Sequence, residues 1–189
     1  IVNKLAREND LHYTVNQIVV SNGAKQSVYN LCMALLDPGD EVILPAPYWV
    51  SYAEIVKMAG GVPVIANSSI EQDFKSTPEE IEALITDRTK FILYSSPCNP
   101  SGSVFSFEEL QALALMLQAH EHVLVVSDEI YEHINFTDRH YTIASMEGMK
   151  DRTVIINGMS KGYAMTGWRL GYIAGPDWIA DACTKIQGQ

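Results

Sequence analysis

No run of apolar residues in this sequence reaches the roughly 20 needed to span a membrane, and no signal peptide opens it. A membrane is therefore not an expected partner. Cysteine is scarce: Cys32, Cys98 and Cys183 are odd in number, widely spaced and form no CxxC pair. That argues against a disulfide framework and fits a reducing compartment, the cytoplasm. Basic charge is also short. Thirteen Lys and Arg stand against 23 Asp and Glu, a net charge of -10 that no basic cluster interrupts. Nucleic acid and anionic lipid surfaces are excluded as expected partners, and the plain reading is a soluble acidic surface. Internal repeats, low-complexity tracts and linkers are missing too, so no boundary divides the 189 residues. What the chain does have is a 47% hydrophobic content, enough for a substantial core.

Strand and helix signals alternate. Short strands are expected at residues 17–21, 41–44, 62–65, 91–95, 123–127 and 153–156, with a further short apolar segment at 170–174. Helices are expected at 23–36, 49–59, 77–85, 106–119 and 176–186, and an amphipathic helix at the start, marked by Ile1, Leu5 and Leu11. Thr77-Pro78-Glu79-Glu80 and Ser106 to Glu109 read as capping boxes, the first with proline at the first helical position. Continuous apolar strands between helices imply an α/β fold, a mostly parallel sheet with helices on both faces. In such sheets ligands lie beyond the carboxyl ends of the strands.

Chemistry-bearing residues collect at those ends. Lys161 follows the strand at 153–156 among small residues, Gly158, Ser160, Gly162, Ala164 and Gly167, that let a bulky ligand approach the backbone. It is either a reactive amine or a lysine in a surface loop. Arg169, eight residues on, offers a fixed fork suited to phosphate. After 17–21 comes Ser21-Asn22-Gly23-Ala24-Lys25-Gln26, a small-residue turn at a helix N-terminus: an anion site, or an ordinary N-cap by Ser21 or Asn22. After 91–95, Asn99 lies between Pro97 and Pro100, extended and offering its amide, or simply a turn asparagine. After 123–127 comes Asp128. A carboxylate there is costly to bury without a cation, which a protonated heterocyclic nitrogen would supply; an N-cap role is the alternative. Tyr131 could reach the same ligand with its phenol, and Trp49 could stack on a planar ring or pack in the core.

With SNGAKQ, PGDEVILPAPYW, SSPCNPSG, VVSDEIY and SKGYAMTGWRLGY in this order and spacing, the sequence resembles the large domain of a fold-type-I pyridoxal-phosphate enzyme of the aspartate aminotransferase class. The resemblance covers essentially the whole chain. It implies that Lys161 bonds pyridoxal 5'-phosphate covalently and then acts as base. It also implies that Asp128 pairs with the pyridinium nitrogen, and that Tyr131 and Asn99 hydrogen-bond the phenolic oxygen. Trp49 stacks on the ring and borders the substrate with Asn99. Arg169 and the backbone around Ala24 and Lys25 take the phosphate. The implied reaction is ping-pong transamination between an amino acid (aspartate, aromatic or related) and a 2-oxo acid, in a homodimer of the full-length protein.

The pattern departs from the family at Gly158, where many relatives carry a hydroxyl as a phosphate ligand; Ser160 is the candidate substitute. Family members are also longer at both ends. Residues 1–189 are expected to be a partial pyridoxal-phosphate-binding large domain, without the N-terminal segment and the C-terminal small domain, and to turn over little substrate alone. Two alternatives stand beside transamination: a carbon–sulfur β-lyase on the same scaffold, and a cofactor-sensing domain of a transcription regulator.

Overall fold

Successive residues of a strand point to opposite sides of a sheet, and here both sides are apolar. The computed structural model describes residues 1–137 and 139–189. Its strands are β1 (Ile18–Asn22), β2 (Glu41–Pro45), β3 (Val62–Ala66), β4 (Thr89–Ser95), β5 (Leu124–Asp128), β6 (Thr153–Gly158) and β7 (Leu170–Ala174). Its helices are α1 (Val2–Asn9), α2 (Ala24–Leu35), α3 (Ser51–Met58), α4 (Pro78–Glu82), α5 (Phe107–Gln118) and α6 (Asp177–Gln187).

The strands form one sheet in the order β1-β7-β6-β5-β4-β2-β3. All neighbours are parallel except β7, which runs antiparallel to both β1 and β6. Only one short 3-10 turn (Thr166–Trp168) interrupts the loop between β6 and β7, too little for the crossover that a parallel neighbour requires.

Alternation along β4 and β5 sorts the layers. Leu93 and Val126 face Val28 and Leu31 of α2, Tyr52 and Val56 of α3, and Ile179 of α6. Ile92 and Val125 face Leu110, Leu113 and Leu117 of α5 and Ile81 of α4. Leu5 of α1 packs with Ile155 and Ala174. Burial of each such side chain contributes about 1.5–3 kcal/mol.

Both capping boxes form. Thr77 Oγ1 accepts from the Glu80 N–H, and the Glu80 carboxylate accepts from the Thr77 N–H; Ser106 and Glu109 repeat the exchange. α4 ends at Glu82, before the expected Ile85, because the chain tightens there into three-residue turns (Leu84 N–H to Ile81 O, Ile85 N–H to Glu82 O). α1 stops at Asn9, capped by Asp10 in the left-handed region, so Leu11 joins the core from beyond the helix. No helix among the described residues is long and apolar enough to cross a membrane.

β1, β2, β4, β5 and β6 all point the same way, so their carboxyl ends share one edge. The segments that follow them, from Gly23, Ala46, Ser96, Glu129 and Met159, open onto it.

Candidate active site

Asp128 is the last residue of β5 and is only 4% exposed. Its Oδ2 accepts from the Tyr52 phenol at 2.6 Å and its Oδ1 from the Ile130 N–H at 3.2 Å. Burial lifts the carboxyl to about 6; the two donors pull it down, and the neighbouring Glu129 charge adds to the rise. From the protein itself the carboxylate receives a phenol and a backbone amide, and no described residue forms an ion pair with Asp128. The carboxylate is thus an acceptor whose burial would be relieved by a cationic nitrogen. Tyr52 is itself buried, and burial beside Asp128 pushes its phenol well above the ordinary value, so it stays a donor.

The chain turns directly after Asp128, with the Glu132 N–H on Glu129 O, and this brings Tyr131 back over the sheet edge. The Tyr131 hydroxyl accepts from Asn99 Nδ2 at 3.4 Å. Asn99 follows β4, and its own N–H reaches Ser95 Oγ at 3.4 Å. The peptide bonds before Pro97 and Pro100 are both cis.

Lys161 is exposed in the loop after β6, its Nζ 5.9 Å from the centre of the Tyr131 ring. The loop is turned back on itself: the Ala164 N–H bonds Lys161 O at 3.0 Å, and Thr166 Oγ1 bonds Ser160 O at 2.8 Å. Gly158 pairs with Gly171 across β6 and β7, and a Cβ on it would lie 2.5 Å from Leu170 O. A side chain at that position would press on the β7 backbone. Ser160, 9% exposed, lines the cavity.

At the other end of the cavity α2 begins at Gly23, whose φ of 83° requires glycine and which offers no side-chain cap to the first N–H groups. Arg169 lies across this turn. Its Nη2 donates to Asn22 O at 3.3 Å and its Nη1 to Thr166 O at 2.9 Å. A Cβ on Gly23 would stand 2.1 Å from Arg169 Nη2, and one on Gly171 would stand 2.3 Å from the Ala24 nitrogen. Two missing side chains therefore let a strand, a guanidinium and a helix N-terminus meet. Free N–H groups, a helix dipole and a guanidinium together suit an anion.

Trp49 precedes α3 by two residues. It stands edge-on to Tyr52, with ring centres 5.4 Å apart, and Lys25 Nζ sits 4.8 Å over its ring.

All nine residues singled out from the sequence (Ala24, Lys25, Trp49, Asn99, Asp128, Tyr131, Ser160, Lys161 and Arg169) line one cavity of about 320 Å³. Tyr52, Ser95, Ile130 and Thr166 line it as well and were not anticipated. The arrangement suits a flat ligand with an anionic tail at α2, a basic ring nitrogen at Asp128, a ring oxygen at Tyr131 and Asn99, and a carbon open to an amine at Lys161.

Comparison with known proteins points the same way. The family model for aminotransferase class I and II matches residues 1–189. A bifunctional aspartate aminotransferase and glutamate/aspartate-prephenate aminotransferase from Petunia hybrida is 50% identical, over 100% of this chain and 40% of that protein. An aspartate/prephenate aminotransferase from Nitrosomonas europaea is 49% identical, over 100% of this chain and 48% of that protein. The chain spans about half the length of these relatives. Among solved structures, the aspartate aminotransferase from Rhizobium meliloti superposes with a TM-score of 0.98 at 46% identity, covering 100% of this chain and 48% of that one. The aspartate aminotransferase from Thermus thermophilus with maleate gives 0.95 at 42% identity, again covering 100% and 48%. On the whole-length family match and the identity of these relatives, the chain belongs to the aminotransferase class I and II family.

Proposed function

We propose that this chain is the cofactor-binding part of a pyridoxal-phosphate-dependent aminotransferase that moves an amino group between an amino acid and a 2-oxo acid. The observation that carries the reading is the convergence of Lys161, Asp128, Tyr131, Asn99, Arg169 and the α2 N-terminus on one cavity. The donor set suits the cofactor, and the close approach of Arg169 and β7 to the α2 N-terminus, which Gly23 and Gly171 allow, sets a guanidinium beside backbone N–H groups in a way that suits its phosphate. When bound, pyridoxal 5'-phosphate supplies an electron sink that makes the α-proton of an amino acid removable.

The residues divide the remaining work. The free N–H groups of Ala24 and Lys25 and the Arg169 fork bind the phosphate, with the Ser160 hydroxyl beside them. Asp128 holds a proton at the ring nitrogen; buried and hydrogen-bonded by Tyr52, it is a carboxylate whose most favourable partner is a cation. Tyr131 and Asn99 bind the phenolic oxygen. Trp49 would cover the ring, border the substrate with Asn99 and exclude water. Lys161 would hold the cofactor, and its amine would move the proton at the substrate α-carbon.

We further propose a dicarboxylic donor such as aspartate, or an aromatic or related amino acid. The relatives named as aspartate/prephenate aminotransferases support this choice. We infer a homodimer in the full-length protein, a cytoplasmic location, and substrate-carboxylate contacts supplied from outside residues 1–189. These 189 residues alone should therefore turn over little substrate.

The test is the absorption spectrum of the full-length protein after addition of pyridoxal phosphate and dialysis, beside Lys161→Ala. A retained visible band that the variant lacks supports the reading, and so does amino transfer from aspartate to a 2-oxo acid. Absence of the band from both proteins refutes it. Release of keto acid without an amino acceptor would favour the β-lyase, and a retained band without turnover would favour the sensor domain.

A further inference from the structure

The five residues from the end of β5 onward, 128–132, face two ways. Asp128 and Tyr131 line the cavity. Glu129 and Glu132 turn away from it and are buried, at 0% and 7% exposure. Glu129 is satisfied locally, by Ser127, His140 and Thr142. Glu132 is not local. Its Oε1 forms an ion pair with Lys4 of α1, and its Oε2 accepts from Asn157 Nδ2 of β6 at 2.8 Å. Lys4 is itself held by Asn9 Oδ1 at 2.8 Å, with Glu8 at 3.7 Å. The next residue, His133, extends the contact. Its Nε2 lies 3.2 Å from Glu132 Oε1 and 3.3 Å from the Tyr163 hydroxyl, and its Cβ lies 2.8 Å from where a Cβ on Gly162 would be. A single knot thus touches the chain on both sides of Lys161, at Asn157 before it and at Gly162 and Tyr163 after it.

We propose that the Lys4–Glu132 ion pair is a positioning device for the reaction: α1 fixes the segment bearing Asp128 and Tyr131, and through Asn157 and His133 the loop bearing Lys161. None of these residues touches the reacting atoms. The physical basis is the asymmetry of a buried ion pair. Removing one partner leaves a charge with weaker company, Glu8 at 3.7 Å for Lys4 or Asn157 and His133 for Glu132, and so presses the surrounding chain to move, whereas removing both charges lifts that demand. The effect should therefore be large for either single change and recovered in the double one.

The inference rests on the proposed function for its catalytic meaning, and the test separates the two. Lys4→Met, Glu132→Gln and the double variant would be made in the full-length protein and followed by hydrogen exchange without cofactor. Each single variant is expected to speed exchange about tenfold or more in peptides covering residues 129–134 and 157–163, with most of that reversed in the double variant. Affinity for pyridoxal phosphate, measured at a temperature where all variants are folded, should fall in the singles and recover in the double. Faster exchange confined to residues 1–10 would mean that α1 merely detaches, and would overturn the proposal. So would a double variant no better than the worse single, or a fall in melting temperature with cofactor affinity unmoved. A wild type that binds no pyridoxal phosphate would refute the functional reading alone, and the exchange pattern would still decide this one.

Discussion

Replacing Asp128 with asparagine should stabilise the cofactor-free protein at alkaline pH, although it removes a central residue of the site. Asp128 is 4% exposed, and burial raises its carboxyl from 3.8 to about 6. The folded state therefore keeps the proton up to about pH 6, while the unfolded chain releases it near 3.8. Folding stability falls as pH rises through that window, and the deficit is complete above it. A displacement of about two pH units corresponds to about 3 kcal/mol. Asp128→Asn abolishes that term but gives up one of the two accepted hydrogen bonds, from Tyr52 or from the Ile130 N–H, at a cost of about 1 kcal/mol. The net expectation at pH 8 is a variant more stable by about 2 kcal/mol. At pH 4 the wild-type carboxyl is protonated in the fold, the advantage is gone, and the variant should be equal or slightly less stable. Urea unfolding of both proteins without cofactor at the two pH values measures this. A variant destabilised at pH 8, or a difference independent of pH, would refute the claim that Asp128 is an uncompensated buried charge. The same variant should hold pyridoxal phosphate less well, because asparagine cannot pair ionically with a ring nitrogen.

Other substitutions probe the supports of the site. Tyr52→Phe removes a donor that lowers the Asp128 carboxyl, so its titration, followed by carbon NMR in the cofactor-free protein, should move above its present value near 6; no movement would mean the 2.6 Å bond does not act on it. Arg169→Lys keeps the charge but loses the fork that bonds both Thr166 O and Asn22 O, and should weaken pyridoxal phosphate binding about tenfold by equilibrium titration. Gly171→Ala would drive a methyl to 2.3 Å from the Ala24 nitrogen, and should cost more than about 2 kcal/mol in unfolding free energy; a melting temperature within a degree of wild type would count against the close approach.

Much of the site was legible because its residues sit at strand ends, and strand ends are local signals. Asp128 follows Val125-Val126-Ser127, Lys161 follows a β-branched run, and Gly23 precedes an amphipathic helix; each can be found without knowing what stands opposite. Tyr52 was not legible because its role is a bond to a residue 76 positions away, and nothing in α3 itself distinguishes it from a core tyrosine. The direction of β7 was left open for a similar reason. Five apolar residues define a strand, but only the length of the preceding loop sets its sense. Gly158 looked like a deficit in a phosphate ligand; its pairing with Gly171 turns that into a packing requirement. The knot at Lys4 was beyond the sequence altogether, since a lysine in an amphipathic first helix reads as solvated surface.

The strand order β1-β7-β6 has a consequence for biogenesis. The corner at the start of α2 joins Asn22 to Arg169, residues 147 positions apart, beside a strand that follows every other strand of the sheet in chain order. β2, β3, β4 and β5 can pair among themselves before β7 exists, but the corner cannot close until β7 has slid between β1 and β6. Because closing so long a loop is entropically costly and slow, cofactor capture should be a late event in folding, a natural timer for completion of the sheet.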